Sequence, residues 1–354
     1  MALIWDMEID FLIIGQGLAG TALAYRLEQL GQTILLFDQP ESNQSSRVAA
    51  GLYNPVTGRK MVKSWKAEVL FPEIESFYSE LENLTGRQFL TRQKIYRPFL
   101  SIEEQNEWMG HSSDPAIEMF IETIFTESQY PEMRDSFGGV LLRMSGWLNI
   151  NEYLDGMAEY FADRLRLEDF DETLLEKTSD GWKYGAVFAK NVVYCNGLGA
   201  LKSRFFSYLP FAPVKGELLE VAQDFDPDFI ANRGVFRVRL SKGIYRVGST
   251  YTWHDLEIGP TETAKSEILA KLQDLVRVPV TEVKSHKTGI RPATKDRKPF
   301  LGKHPREDSV YIFNGFGAKG VSLTPFFSKM MAEYLIKSEP ISAEVNIARY
   351  FKYI

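Results

Sequence analysis

Three glycines, Gly15, Gly17 and Gly20, stand directly behind the apolar run Phe11-Leu12-Ile13-Ile14 and open a helical pattern through Ala24, Leu27 and Leu30. This spacing suits phosphate binding. Gly15 permits a tight turn, Gly17 lets the backbone approach a pyrophosphate, and Gly20 lets the helix pack closely on the strand. The free N–H groups at the helix start then face the phosphates, assisted by the helix dipole. Gly31 stops the helix, residues 33–37 read as a second strand, and Asp38 ends it. An acid there accepts hydrogen bonds from adenosine ribose hydroxyls and repels a 2′-phosphate. The pattern predicts a dinucleotide other than NADP. It leaves FAD and NAD open.

A second glycine-rich loop lies near the other end. Gly289-Ile290-Arg291-Pro292-Ala293-Thr294-Lys295-Asp296-Arg297-Lys298-Pro299-Phe300-Leu301-Gly302 leads to the apolar strand Val310-Tyr311-Ile312-Phe313. Asn314-Gly315-Phe316-Gly317-Ala318-Lys319-Gly320-Val321 follows, and then a helical stretch over about 324–336. A loop of this kind between strand and helix directs free N–H groups at an electron-rich partner.

Taken with the start of the chain, this arrangement resembles the D-amino-acid oxidase superfamily, which includes glycine oxidase and sarcosine oxidase. Those proteins show a G-x-R-P…D…P-x-x-G segment, a strand, and a glycine-rich loop opening the last helix. Other stretches agree in order: Ser45-Ser46-Arg47-Val48-Ala49-Ala50-Gly51, Gly146-Trp147-Leu148-Asn149, and Val192-Val193-Tyr194-Cys195-Asn196-Gly197. Pro213-Val214-Lys215-Gly216-Glu217 and Tyr245-Arg246-Val247-Gly248-Ser249-Thr250 match its middle strands.

The resemblance implies a Rossmann-type α/β domain for FAD, interleaved with an α+β substrate domain built on an antiparallel sheet. The FAD domain would take residues 1–80, 146–215 and 285–354, and the substrate domain 81–145 and 216–284. Alternation of Val235, Arg237 and Arg239 with Phe236, Val238 and Leu240 fits that sheet. Noncovalent FAD would be held by Gly15, Gly17, Leu18, Ala19, Gly20, Asp38, Ser46, Arg47, Ala50, Gly51, Asn196 and Gly197. Gly315, Gly317, Ala318, Lys319, Gly320 and Val321 would hold it from the other end.

The implied chemistry is oxidation of a C–N bond in an amino acid or related secondary amine, by hydride transfer to flavin N5. Arg291 would bind the substrate carboxylate, for which a planar guanidinium fork is suited. The loop over 315–321 would stabilise negative charge on the flavin's pyrimidine edge, with Lys319 adding a cation. Tyr251 or Tyr245 would bring a hydroxyl over the flavin, although sheet tyrosines more often serve packing.

Other groups are read more plainly. His111, His254, His286 and His304 have no metal-ligand spacing, so no metal is expected. Cys195, the single cysteine, excludes an internal disulfide and reads as a small hydrophobe. Cysteinyl-flavin relatives place their cysteine near the position of Ile290, so no cysteinyl linkage is expected. The net charge of −6 offers no general attraction for nucleic acid, and no apolar run is long enough to span a membrane. A cytoplasmic enzyme with a small-molecule substrate is expected. The resemblance extends to the FAD domain of the enzyme that trims carboxymethylaminomethyl-uridine in tRNA, which makes a tRNA wobble uridine the alternative substrate. An NAD-dependent dehydrogenase or a redox-inert flavin-binding protein is the alternative of another class.

Overall fold

The computed structural model describes residues 7–39, 45–57 and 62–353. The first apolar run lies in the strand Met7–Ile14, and its alternate side chains enter two different cores. Phe11 and Ile13 enter one core, while Leu12 and Ile14 enter the other. A strand buried on both faces belongs inside a parallel sheet. Its neighbours follow the order Leu165–Leu167, Ile34–Asp38, Met7–Ile14, Val187–Tyr194, Val310–Asn314, all parallel. Helices Leu18–Gln29, Ala67–Thr85, Ile150–Tyr160 and Gly320–Lys337 cover one face. The two-sided burial dictates the Rossmann layering.

The last helix begins at Gly320, four residues ahead of the stretch suggested by its pattern. Pro325 lies within it and has no N–H to offer the carbonyl one turn back, that of Val321. The Tyr78 hydroxyl donates to this carbonyl instead, at 3.1 Å. The helix therefore runs through its proline without leaving a buried acceptor unpaired.

A second sheet of eight strands has the order Val280–Arg291, Val214–Gln223, Ile244–Gly248, Val235–Ser241, Ile230–Arg233, Ile95–Pro98, Gly139–Leu142, Ile121–Phe125. All its joins are antiparallel except Ile230–Arg233 with Ile95–Pro98. One face, carrying Leu219, Val221, Val235, Tyr245 and Val247, is covered by helix Glu262–Gln273 through Ile268 and Leu272. The other face carries Val238 and packs against Val56 and Trp147. Strands Val214–Gln223 and Val280–Arg291 run through positions 215 and 285, where the sequence-based domain borders fall. These two long strands join the antiparallel sheet to the half built on the parallel sheet.

Candidate active site

The carboxyl ends of the parallel strands open at one edge of their sheet, where open α/β sheets bind ligands. Direct bonds knit their loops together. Gly15 N donates to Phe37 O at 2.6 Å, and Cys195 N donates to Ile14 O at 2.8 Å. Asn314 Nδ2 donates to Gly197 O at 2.9 Å. Gly15 has φ +103°, and an added Cβ would lie 2.8 Å from Asn196 Cα. Helix Leu18–Gln29 starts at Gly17, which supplies no side-chain cap; Leu18 N donates to Ser46 Oγ at 3.5 Å, and the N–H groups that follow it in the first turn carry no side-chain cap.

Asp38 sits at the end of the second strand. Its Oδ1 accepts from Gln16 N at 2.9 Å, which aligns the acid with the glycine turn. Burial raises its pKa above the usual carboxylate value, against the lowering effect of the Gln16 and Gln39 N–H groups and the Arg47 charge. Nearby, Asn196 Oδ1 is buried without a hydrogen-bond partner. An uncapped helix start, a glycine turn and an orphan acceptor fit the ADP half of FAD. Asp38→Ala should weaken FAD binding by about 1–3 kcal/mol, the range for a charge-assisted bond. Flavin occupancy after dialysis measures this, and unchanged occupancy would exclude Asp38 as a ribose ligand.

The segment 45–51 is the third wall. Ser45–Val48 is a short helix, and Ser46 Oγ lies 3.5 Å from Leu18 N, beside the glycine turn. Arg47 turns outward to Asp155 at 2.6 Å, a direction that its sequence position does not reveal. Gly51 has φ +75°, and an added Cβ would lie 1.9 Å from Leu148 O. Leu148 N donates to Gly51 O at 3.0 Å, so Ala50 and Gly51 are held against strand Gly146–Leu148.

Arg291 ends the strand Val280–Arg291, and Pro292 turns the chain away. Its Nη2 donates to Ser249 Oγ at 2.7 Å and its Nη1 to Thr250 O at 3.3 Å. Its Cζ lies 4.4 Å from the centre of the Tyr251 ring. Burial lowers its pKa from the ordinary arginine value, yet an arginine remains charged at any physiological pH. A Cβ at Gly216 would lie 2.1 Å from Arg291 Nη2, so the guanidinium rests on a strand residue without a side chain. Directly across the ladder, an added Cβ at Gly289 would lie 3.2 Å from Val48. The paired glycines thus admit the guanidinium on one strand and the 45–51 segment on the other.

Tyr251 is 55% exposed, with its ring over Arg291. Tyr245 does not join it. It is buried on the helix-covered face, bonded to Asp226 at 2.9 Å and stacked under Arg237. In the sequence, Gly216, Ser249 and Thr250 stand only within longer motifs, with nothing local to mark a role for the last two. A glycine inside a strand is a signal for close approach, and Gly216 carried it.

The loop after Val310–Asn314 packs on the turn that follows Arg291. Gly317 N donates to Pro292 O at 3.2 Å, and an added Cβ at Gly315 would lie 2.6 Å from Thr294 Cγ2. Helix Gly320–Lys337 starts without a side-chain cap, so Gly320 and Val321 belong to its first turn. Ala318 and Lys319 are exposed. Although Lys319 reaches solvent, partial desolvation, and then the charges of Arg297 and Lys298, lower its pKa. Asp296 gives no relief, since it accepts from Arg349 at 2.9 Å. The result is an electropositive end beside an uncapped helix start, suited to negative charge. Among the described residues, no group of histidines, cysteines or acids is arranged to hold a metal, and no helix is long and apolar enough to cross a membrane.

A family model described as FAD dependent oxidoreductase matches residues 10–334. The chain belongs to that family, and FAD is its cofactor. It is 22% identical to the glycine oxidase of Pseudomonas aeruginosa, over 95% of this chain and 97% of that one. It is 23% identical to the tRNA 5-methylaminomethyl-2-thiouridine biosynthesis bifunctional protein MnmC of Leptospira borgpetersenii, over 95% of this chain. That alignment spans 58% of the Leptospira protein. The glycine oxidase structure from Bacillus cereus superposes with a TM-score of 0.76 at 20% identity, covering 94% of this chain and 96% of the other.

Proposed function

We propose that this enzyme oxidises the C–N bond of an amino acid or related secondary amine, with Arg291 binding the substrate carboxylate. The carrying observation is a guanidinium seated on Gly216 and oriented by Ser249, Thr250 and Tyr251. Such fixation spares a substrate the entropy of ordering the side chain. Bound FAD supplies a two-electron acceptor. Arg291 orients the substrate so that its α C–H bond meets that acceptor, and no side-chain base is needed because the neutral amine's lone pair assists. The uncapped start of helix Gly320–Lys337 and Lys319 favour negative charge on the reduced cofactor. The roles of Asn196, Gly197 and residues 45–51 are to shape the cofactor channel.

The cofactor is bound noncovalently in this reading. Cys195 is buried at a strand end, packed toward Gly20, and burial pushes its thiol pKa up, which removes it as a nucleophile. Heat-denatured protein should therefore release FAD into the supernatant. Flavin retained by the precipitate would refute this.

Anaerobic mixing with a panel of primary and secondary amino acids, glycine and N-methylglycine included, tests the activity. Bleaching of the flavin spectrum by one of them is expected. Bleaching by none, with the same flavin reducible by dithionite, would overturn the proposal.

A second reading, a tRNA wobble-uridine side chain as substrate, is favoured by one observation. Lys295, Arg297 and Lys319 form no ion pair among the described residues, the Tyr251 ring over Arg291 is exposed, and Trp253, two residues further on, is exposed as well. Cations with exposed aromatic rings suit a nucleotide-bearing substrate. Flavin bleaching by undermodified tRNA, suppressed by salt, would select this reading over a free amino acid.

A further inference from the structure

We infer that Glu217 is a positioning residue for the Arg291 clamp, acting from the opposite face of the sheet through Lys215 and the segment 249–261; this rests on the carboxylate role of Arg291. Arg291 and Gly216 lie on one face, since Val214 pairs with Arg291 and Gly216 with Gly289. Lys215 and Glu217 alternate with them and point to the other face, where their side chains are 3% and 2% exposed. Neither can touch a substrate held by Arg291. Both nevertheless hold the segment that holds Arg291.

The near end of that segment is fixed by the backbone. Lys215 N donates to Thr252 O at 2.9 Å, Thr252 N donates to Lys215 O at 3.0 Å, and Thr250 N donates to Glu217 O at 3.2 Å. The far end is fixed by side chains. Glu217 accepts from Thr261 N at 2.7 Å and from Thr261 Oγ1 at 3.1 Å. Lys215 Nζ lies 3.1 Å from Glu217 Oε1 and donates to Gly259 O at 3.0 Å. His286 Nε2 lies 2.9 Å from the second Glu217 oxygen.

Between these ends the segment is open, with Trp253 60% and Ile258 52% exposed. Its own packing therefore contributes little to its order. Ser249, Thr250 and Tyr251, which fix the guanidinium, begin the same segment. A buried ion pair used in this way specifies a conformation, a role distinct from adding stability. The backbone bonds hold positions 250 and 252 but not the Tyr251 side chain between them, so freeing the far end leaves the exposed Tyr251 ring less confined and loosens Arg291.

Two holoenzyme variants test this. E217Q keeps shape and a neutral acceptor, while K215M/E217L replaces the whole pair with apolar side chains and strands no buried charge. The probe is glycolate, titrated by its perturbation of the flavin spectrum, with KM and kcat measured on the amino acid found active. K215M/E217L should retain FAD and raise the glycolate Kd and the KM about tenfold, with a smaller fall in kcat. E217Q should shift both in the same direction by less. Wild-type glycolate affinity and KM in the double variant, whatever its melting temperature, would overturn the inference. If the double variant does not fold, E217Q decides in the same way. Glycolate binding that is insensitive to R291K would show instead that the clamp reading itself has failed.

Discussion

Arg291→Lys should leave FAD binding intact and cut kcat/KM roughly 10- to 150-fold, the equivalent of losing about 1.5–3 kcal/mol from a charge-assisted contact. The reason is geometric. A lysine keeps the charge but offers a compact ammonium, which cannot bind a planar carboxylate at two points. It also cannot bridge Ser249 Oγ and Thr250 O as the guanidinium does at 2.7 and 3.3 Å. The loss should appear mainly in KM if the clamp binds ground and transition states alike. A fall in kcat as well would mean that it aligns the reacting C–H bond. Glycolate should perturb the wild-type flavin spectrum and leave that of the variant unchanged. Gly216→Ala offers an independent approach to the same site. Its Cβ would lie 2.1 Å from Arg291 Nη2, the flexible end of a side chain, so the guanidinium must move while the strand stays. This variant should fold, bind FAD and share the substrate defect. Wild-type kinetics in Arg291→Lys would make Arg291 a structural arginine.

Gly20→Ala should have the largest effect on the cofactor, because the obstacle to its Cβ is backbone. The added carbon would lie 1.8 Å from Gly15 O, 3.0 Å from Gly15 C and 3.2 Å from Cys195 Cβ. Relief requires helix Leu18–Gln29 to move away from the glycine turn that is proposed to hold the cofactor phosphates. Overpacking of this kind costs about 1–3 kcal/mol in stability. Displacing the helix start also weakens the phosphate contacts, so purified Gly20→Ala should be largely colourless and melt lower than wild type. Gly110→Ala is the matched control. Nothing lies within 4 Å of its added Cβ, and it sits in helix Ile102–His111, where alanine is the better helix former. It should keep its flavin and its melting temperature. Full flavin content in Gly20→Ala would remove the close-packing role assigned to this glycine.

The nucleotide end was legible in the sequence because its parts are contiguous. A strand, Gly15, Gly17, Gly20, a helix and Asp38 fall within one βαβ unit, and local conformational demands alone select those residue types. The Gly315–Gly317 loop was legible for the same reason, lying between a strand and a helix. Family resemblance singled out Arg291, for which a carboxylate-binding role is proposed, but no local rule says what surrounds it. Its partners Ser249 and Thr250 are 42 and 41 residues away in the chain, and Lys215 O is 76 away. Register between distant strands brings them together. The same register separates the two tyrosines. Tyr245 pairs with Val221 and so shares the face of Leu219, under helix Glu262–Gln273. Tyr251 lies past the end of that strand, where the chain bends back over Arg291. Sequence period assigns alternate residues to opposite faces, but it cannot say which residues share the face of Arg291 or what a neighbouring strand contributes there. Only the pairing of Val214–Gln223 with Val280–Arg291 on one side and Ile244–Gly248 on the other decided that, because side-chain direction in a sheet is a property of the ladder.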